Sequence, residues 1–459
     1  MQKHLFQKMS EPFSTNRLKG NPLQAAGAAT LVFFVGFSGV TLFSSSAEYF
    51  QLTFSPANWQ WGILIASPVL FGSLLRIPFS AWANTNGGKT PMLVLLGCSI
   101  LGMFGLQWLV SHPLAVARVD FFYVFLLGCL CGCGIATFSV GITQTSFWFP
   151  LRKQGQALGI YAGIGNLAPS VFSFFLPYSF RIGGFAETYV FWLLFLCVGT
   201  SAYLLLGTDA WYFQLRHRGL PPQQARDMAR FRFGQEIFPE ERFMESVIHS
   251  AKLPKTWLLV AIYFTTFGGF IALTLWLPTY WRNHFGLTPV QAGWLTALYA
   301  LLVALFRILG GIWADRIGGT VSLRIALLIM LLSTLLLSFS NLIIFSVLTT
   351  IFLGISMGIG NAAVFKLVPS VSAHLLGGIA GWVGGLGALG GFLILPVMGT
   401  LASLKSDNEF ANGFIILMML SLFSLLALKK FENQSGRFVQ PVPTALGILA
   451  RKNPNFTVR

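Results

Sequence analysis

The chain has 459 residues, of which 55% are hydrophobic and only 10% charged, with mean hydropathy +0.70 and a net charge of +16. So little charge cannot clothe a soluble protein of this length, while apolar stretches of about 20 residues, each able to cross a hydrocarbon core of roughly 30 Å, recur from end to end. The composition excludes a soluble enzyme and predicts an all-α membrane protein.

Twelve transmembrane helices are predicted, at about 24–46, 58–82, 91–110, 121–146, 155–178, 188–208, 256–280, 290–314, 322–340, 342–367, 378–403 and 411–429. With both termini cytoplasmic, 23 of the 30 Lys and Arg fall in cytoplasmic segments or, as with Arg324 and Lys429, at the cytoplasmic ends of spans. The other face holds four: Arg118, Arg181, Arg282 and Lys405. This positive-inside bias sets the orientation and accounts for the basic charge without a nucleic-acid partner. Residues 1–208 are expected to form a first six-helix bundle with a cytoplasmic N-terminus. Residues 209–255 form a basic cytoplasmic linker with a short amphipathic helix, and 256–459 a second bundle with a basic cytoplasmic tail. The polar residues 1–22 precede a full-length span without a small-residue cleavage site, so no cleavable signal is expected.

The second span carries Arg76-Ile-Pro-Phe-Ser-Ala-Trp82-Ala83-Asn84-Thr-Asn-Gly87-Gly88. A cation in hydrocarbon is costly and marks a functional site by default. The fourth span holds Cys129, Cys131 and Cys133 between small residues, a spacing that scatters the thiols around the helix and does not build a metal site. It also holds Phe138, in the zone of the arginine. The fifth span carries Gly159-Ile-Tyr-Ala-Gly163-Ile-Gly165-Asn166; the glycines let helices pack closely, and the buried amide of Asn166 needs either a backbone partner or a ligand.

The second half repeats these features. Tyr263 and Phe267 of the seventh span lie one helical turn apart on one face. The eighth span carries Arg307-Ile-Leu-Gly-Gly-Ile-Trp313-Ala314-Asp315-Arg-Ile-Gly318-Gly319, the first phrase again, 231 residues on. Each arginine precedes Asn84 or Asp315 by eight residues, placing it about 12 Å from the cytoplasmic end of its helix. The tenth span repeats Gly132-Cys-Gly134 of the fourth as Gly358-Ile-Gly360, and brings Lys366 near the cytoplasmic end. Snorkelling explains that lysine as well as a role in coupling or in the anion's path. The eleventh span carries Gly381-Trp-Val-Gly-Gly385-Leu-Gly387-Ala388, matching the fifth at an offset of 222.

Two guanidinium forks at matched depth, without a carboxylate in the spans, suit a planar oxyanion held between two halves. Glu48, Asp120, Glu187 and Asp209 all fall at span ends. There is no Walker loop, zincin motif, nucleophile elbow or hydrolytic triad, so no enzyme activity, cofactor or metal is expected.

The glycine run Gly159 to Asn166, its partner Gly381 to Gly391, Arg76 in Leu74-Leu75-Arg76-Ile-Pro78 and Arg307 in Ala304-Leu-Phe-Arg307 resemble the paired signatures of the nitrate/nitrite porter family of the major facilitator superfamily. The resemblance covers nearly the whole chain. It implies substrate-binding roles for Arg76, Arg307, Phe138, Tyr263, Phe267 and Asn166, with Phe138 and Phe267 flanking the anion's plane, and packing or gating roles for Gly159, Gly163, Gly165, Gly381, Gly385 and Gly387. The chain departs from the superfamily at Asn84, where an Asp is usual; within its own repeat, Ala388 stands in the place of Asn166, so any amide contact comes from one half only. The stretch from Asn361 to Pro369, with Lys366, is closer to the assimilatory porters.

The expected function is secondary active transport of nitrate, nitrite or both in a bacterial cytoplasmic membrane, by a monomer in the lipid bilayer. The alternatives are proton-linked uptake, towards which Lys366 tilts the reading, and nitrate/nitrite exchange. Two rival functions remain: a carrier for a small organic monocarboxylate, and a membrane sensor that binds an anion without moving it.

Overall fold

The computed structural model describes residues 18–46, 49–50, 58–112, 120–239, 243–372, 375–402 and 410–436. Glu48, Arg118, Lys405, the Glu240 to Arg242 segment and the two termini lie outside them. The described residues are overwhelmingly helical and contain no strand.

Eleven helical stretches are long and apolar enough to cross a membrane. The fifth, Ala157–Leu206, is 50 residues long, more than twice what a bilayer core needs. It is two spans joined at Gly184, whose φ of 85° and ψ of −178° are non-helical. The Ser179 and Thr188 hydroxyls then meet at 2.9 Å, whereas nine residues of straight helix would hold them about 13 Å apart. The chain turns back there, and the count becomes twelve.

Several spans are broken near mid-membrane, which hydropathy does not reveal. The first passes into a 3₁₀ segment at Ser38–Thr41 and the fourth at Gly132–Ala136. The second breaks at Leu75, so that a new helix, Arg76–Asn86, begins on the arginine. The fifth pauses after Gly165. The seventh contains a π turn, Phe264–Gly268, a distortion common at functional sites. Irregular backbone at this depth is tolerated only where protein or a cavity surrounds it. The breaks gather where helices touch backbone to backbone: a Cβ at Gly36 would lie 2.3 Å from the Gly134 oxygen, and one at Gly268 would lie 2.6 Å from the Gly390 Cα.

Between the sixth and seventh spans the chain forms three short helices, Trp211–His217, Pro222–Phe233 and Phe243–Ala251, where one was expected. They lie on the same face as the turns after the second and eighth spans, here called the loop face. Asp209 ties this region to the third span: its carboxylate accepts the Lys89 backbone N–H at 2.9 Å, at the start of that helix.

Candidate functional site

Arg76 and Phe138 reach one point because each sits at or just after a helical break, and Phe267 because it lies inside the π turn. Arg76 is 1% exposed. Its Nη1 donates to the Gly384 carbonyl of the eleventh span at 2.9 Å, and its Nε to Gly72 at 3.3 Å. Arg307 is half-buried and donates from Nη2 to the Tyr263 hydroxyl at 3.2 Å. Among the described residues, no carboxylate pairs with either arginine. One nitrogen of each fork, Arg76 Nη2 and Arg307 Nη1, is buried without any hydrogen-bond partner. Leaving such donors unmet costs roughly 1–3 kcal/mol each, more for charged groups.

The two cations share two rings. Phe138 and Phe267 stack with centroids 6.2 Å apart and planes at 21°. The Arg76 Cζ lies 4.9 Å from the Phe138 centroid and 5.3 Å from that of Phe267. The Arg307 Cζ lies 5.3 Å from both. In the triangles these distances define, the medians to the ring–ring side are about 4.1 Å for Arg76 and about 4.3 Å for Arg307. The two charges are therefore at most about 8.4 Å apart, and repel by at least about 2 kcal/mol at an effective dielectric near 20. The ring faces offset part of that cost.

The glycine pattern positions these groups. A Cβ on Gly163 would strike the Ile308 side chain at 2.4 Å, and one on Gly385 would strike Ile77 at 3.1 Å. Each glycine thus seats the residue just after an arginine of the other half. A Cβ on Gly165 would lie 1.8 Å from the Phe33 ring, and one on Gly387 2.6 Å from the Tyr263 ring. Gly159 and Gly381 have open space where a side chain would be.

Asn166 is 1% exposed, and its amide nitrogen donates back to the Ala162 carbonyl at 2.6 Å, leaving its Oδ1 unpartnered. Lys366 does not join the arginines. It forms an ion pair with Asp315 on the loop face, where both side chains are more than half exposed.

Sequence reasoning missed three rings and one pair of glycines. Phe365 packs edge-on to Tyr263 at 5.1 Å and lies 6.0 Å from the Arg307 Cζ. Phe33 packs on Phe138 at 5.0 Å, and Tyr161 donates to the Thr137 and Phe138 carbonyls at 3.0 Å. Gly62 and Gly293, each fourteen residues before an arginine, close the face opposite the loops. A Cβ on Gly62 would lie 2.8 Å from the Pro396 Cα, and one on Gly293 2.6 Å from the Ser173 oxygen. The Ser170 hydroxyl completes this seam by donating to the Ala297 carbonyl at 2.8 Å. The signal was present: this pair repeats at the same 231-residue offset as the arginines. Towards the loop face, in contrast, a chamber of about 200 Å³ reaches from Phe138, Phe365 and Gly384 down to Ser80 and Asn84.

A helical bundle whose halves meet backbone to backbone at one face, with a chamber towards the other and two cations between them that each keep a buried, unpartnered nitrogen, has the design of an alternating-access membrane transporter. The family model of the Major Facilitator Superfamily matches residues 26–395 and 281–443, and the chain belongs to that superfamily. It is 29% identical over 391 residues to a nitrite extrusion protein of Bacillus subtilis (strain 168), covering 85% of this chain and 90% of that protein. It is 28% identical over 404 residues to a probable nitrate transporter NarT of Staphylococcus epidermidis, covering 88% and 95%. Among solved structures, the partially occluded inward-open xylose transporter XylE from E. coli superposes with a TM-score of 0.70 at 14% identity, over 90% of this chain and 98% of that one. A mutant of the nucleoside transporter NupG gives 0.63 at 14%, over 89% and 99%. At such identities these structures speak for the fold alone.

Proposed function

We propose that the protein is a secondary active transporter of nitrate or nitrite, and that Arg76 and Arg307 hold the anion between them. The supporting observation is the pair of buried, unpartnered guanidinium donors beside two shared phenyl rings. A fork donating two hydrogen bonds of about 2.9 Å to a flat trigonal anion sets its carbon about 4 Å from the anion's centre. Both medians to the middle of the ring pair match that distance. The names of the two curated relatives point to the same ions.

One detail differs from the expectation that the rings simply flank the anion. Two carbon contacts of 3.5–4.0 Å require about 7–8 Å between ring planes, and the ring centroids are 6.2 Å apart, an upper bound on the spacing of the planes. Binding between them therefore parts the rings by at least about 1 Å. Since Phe138 and Phe267 belong to different halves, the anion acts as a spacer between the halves as well as a counter-ion. Tetrahedral sulfate or phosphate is thicker and needs a wider opening.

Coupling follows from charge. Bringing a monovalent anion in against a negative-inside potential costs roughly 2.3 kcal/mol per 100 mV. Lys366, which with the assimilatory-like stretch around it tilts the expectation towards proton symport, is paired with Asp315 at the loop face, where both side chains are more than half exposed. Exchange of one anion for the other needs no protonatable relay, and we favour it. The positive-inside distribution makes the loop face cytoplasmic. The membrane is then a bacterial inner membrane, with both termini in the cytoplasm.

Counterflow in proteoliposomes tests the reading. Trapped nitrate should drive uptake of labelled nitrite with or without a pH gradient. Strict dependence on the gradient would replace exchange by symport, and counterflow of acetate or lactate in place of nitrate would replace the substrate class.

A further inference from the structure

The loop between the sixth and seventh spans contributes two side chains to the chamber beneath the arginine pair, Ile237 and Phe238. They follow Gly234, which ends the helix Pro222–Phe233 in the left-handed conformation, φ 72°, and redirects the chain. The redirected segment is not loosely tethered. Gln235 is 3% exposed; its side chain accepts the Tyr212 N–H at 3.0 Å and donates to the Ile237 carbonyl at 2.9 Å. Ile237 packs into the cluster of Phe147, Trp148 and Phe213, at the loop-face end of the fourth span. Phe238 is gripped by two guanidinium groups one turn apart, with Arg226 at 5.2 Å and Arg230 at 5.5 Å from its ring, and by the edge of Tyr212 at 5.8 Å.

Across the chamber stands the eleventh span, which presents the small residues Gly377, Ala380, Gly381 and Gly384 there. A side chain at Gly381 would meet nothing within 4 Å. A fixed aromatic ring thus faces a smooth helix surface with free room before it, along the route from the arginines to the loop face. Loop-face closure brings the span 11 surface towards the ring, and the small residues there leave room for that approach.

Resting on the transport reading above, we infer that Phe238 is the loop-face gate of the anion path, seated by Arg226 and Arg230 and received by the glycine face of the eleventh span. The two arginines fix the ring from behind by their contact with its face. Their job is to position the gate, and the anion passes on the other side of it.

The test uses the full-length protein in proteoliposomes with a cysteine placed inside the chamber, Ser139→Cys, and a membrane-impermeant maleimide applied from the loop face. The native protein, with its own span cysteines, gives the background. Phe238→Ala in the Ser139→Cys protein should raise the labelling rate at least tenfold. The pair Arg226→Gln and Arg230→Gln, which keeps the ring but removes two contacts of this kind, should raise it about five- to thirtyfold or less. Phe238→Tyr keeps a ring on the same seat and should leave labelling unchanged, which separates loss of the gate from loosening of the fold. A bulky replacement on the receiving side, Gly381→Leu, should hold the loop face open and also raise labelling.

Labelling that ignores Phe238→Ala, or that rises equally in Phe238→Tyr, overturns the gate. The substrate reading fails separately. If the native protein shows no nitrate counterflow while Phe238→Ala still exposes the chamber, the gate stands and the cargo is wrong. If counterflow is intact and labelling does not move, the cargo stands and the gate falls.

Discussion

The two halves hold their arginines by different means, although the surrounding helices match. Gly384 and Ala162 stand 222 residues apart, at the offset of the glycine signature. The Gly384 carbonyl is free for Arg76, because Ala388, one turn later, has no polar side chain. The Ala162 carbonyl is not free for Arg307. Asn166, in the place of Ala388, covers it with its side-chain amide at 2.6 Å while its own backbone N–H donates there at 3.1 Å. Tyr263 supplies Arg307 with a hydroxyl instead, and the matching ring in the first half, Phe33, has none to offer Arg76. One arginine is thus anchored to main chain and the other leans on a side chain that can yield. A repeated sequence gives two cations of unequal freedom, and on the proposed reading an anion would bind the fixed donor first and draw in the movable one.

Several measurements would break or sharpen that contrast. The largest effect concerns the seam that the halves share. Gly62→Leu and Gly293→Leu put bulk where backbone lies within 3 Å, and should hold that face apart. Counterflow should fall at least about a hundredfold, with nitrate affinity within about threefold of native, since the site itself is untouched. Unequal effects of the two substitutions would show that the seam is not symmetric.

Next in size is the exchange of roles. Asn166→Ala uncovers the Ala162 carbonyl, so that Arg307 gains an anchor like that of Arg76 and loses freedom. Affinity for nitrate, by titration calorimetry, should drop about tenfold, roughly 1.4 kcal/mol. Ala388→Asn should do the converse by taking Gly384 from Arg76. Asn166→Ala with unchanged affinity would remove the asymmetry from the account. A smaller change follows from the hydroxyl alone. Tyr263→Phe deletes one hydrogen bond of 3.2 Å and should cost about 1 kcal/mol, fivefold in affinity, and Phe33→Tyr offers Arg76 the missing contact.

The smallest effect lies at the loop face, where the halves also diverge. The second half uses the exposed ion pair of Asp315 and Lys366; the first, with Asn84 in the acidic position, has Asp209 against the start of the third span. Burial raises the Asp209 carboxyl above its usual range, against the pull of the Lys89 and Gly88 N–H groups and of nearby His217 and Lys89. A raised carboxyl favours the protonated fold, so its contribution is most favourable below the ordinary pKa of 3.8 and is lost as pH rises through the folded value. Asp209→Asn should therefore raise thermal stability slightly at pH 7 relative to native, with the gain vanishing towards pH 4.

Much of this was legible in the chain. Hydropathy located all twelve spans, and the repeated phrase brought Arg76 and Arg307 to notice. What it concealed were breaks in backbone geometry: 3₁₀ and π segments carry the same apolar residues as the helices around them, so Phe264–Gly268 looks like any other span. Pairings across the fold were also hidden, since nothing near Lys366 in sequence announces Asp315, 51 residues away. Ala388 was visible as a departure, but its consequence appears only once the Arg76 fork is seen on the Gly384 carbonyl.

The most direct measurement is calorimetric titration of the purified protein with nitrate at fixed ionic strength. One anion should bind per chain, and Arg76→Lys and Arg307→Lys should each weaken it at least about a hundredfold, because lysine cannot offer a planar fork. Native-strength nitrate binding in either variant would contradict a site shared by the two arginines.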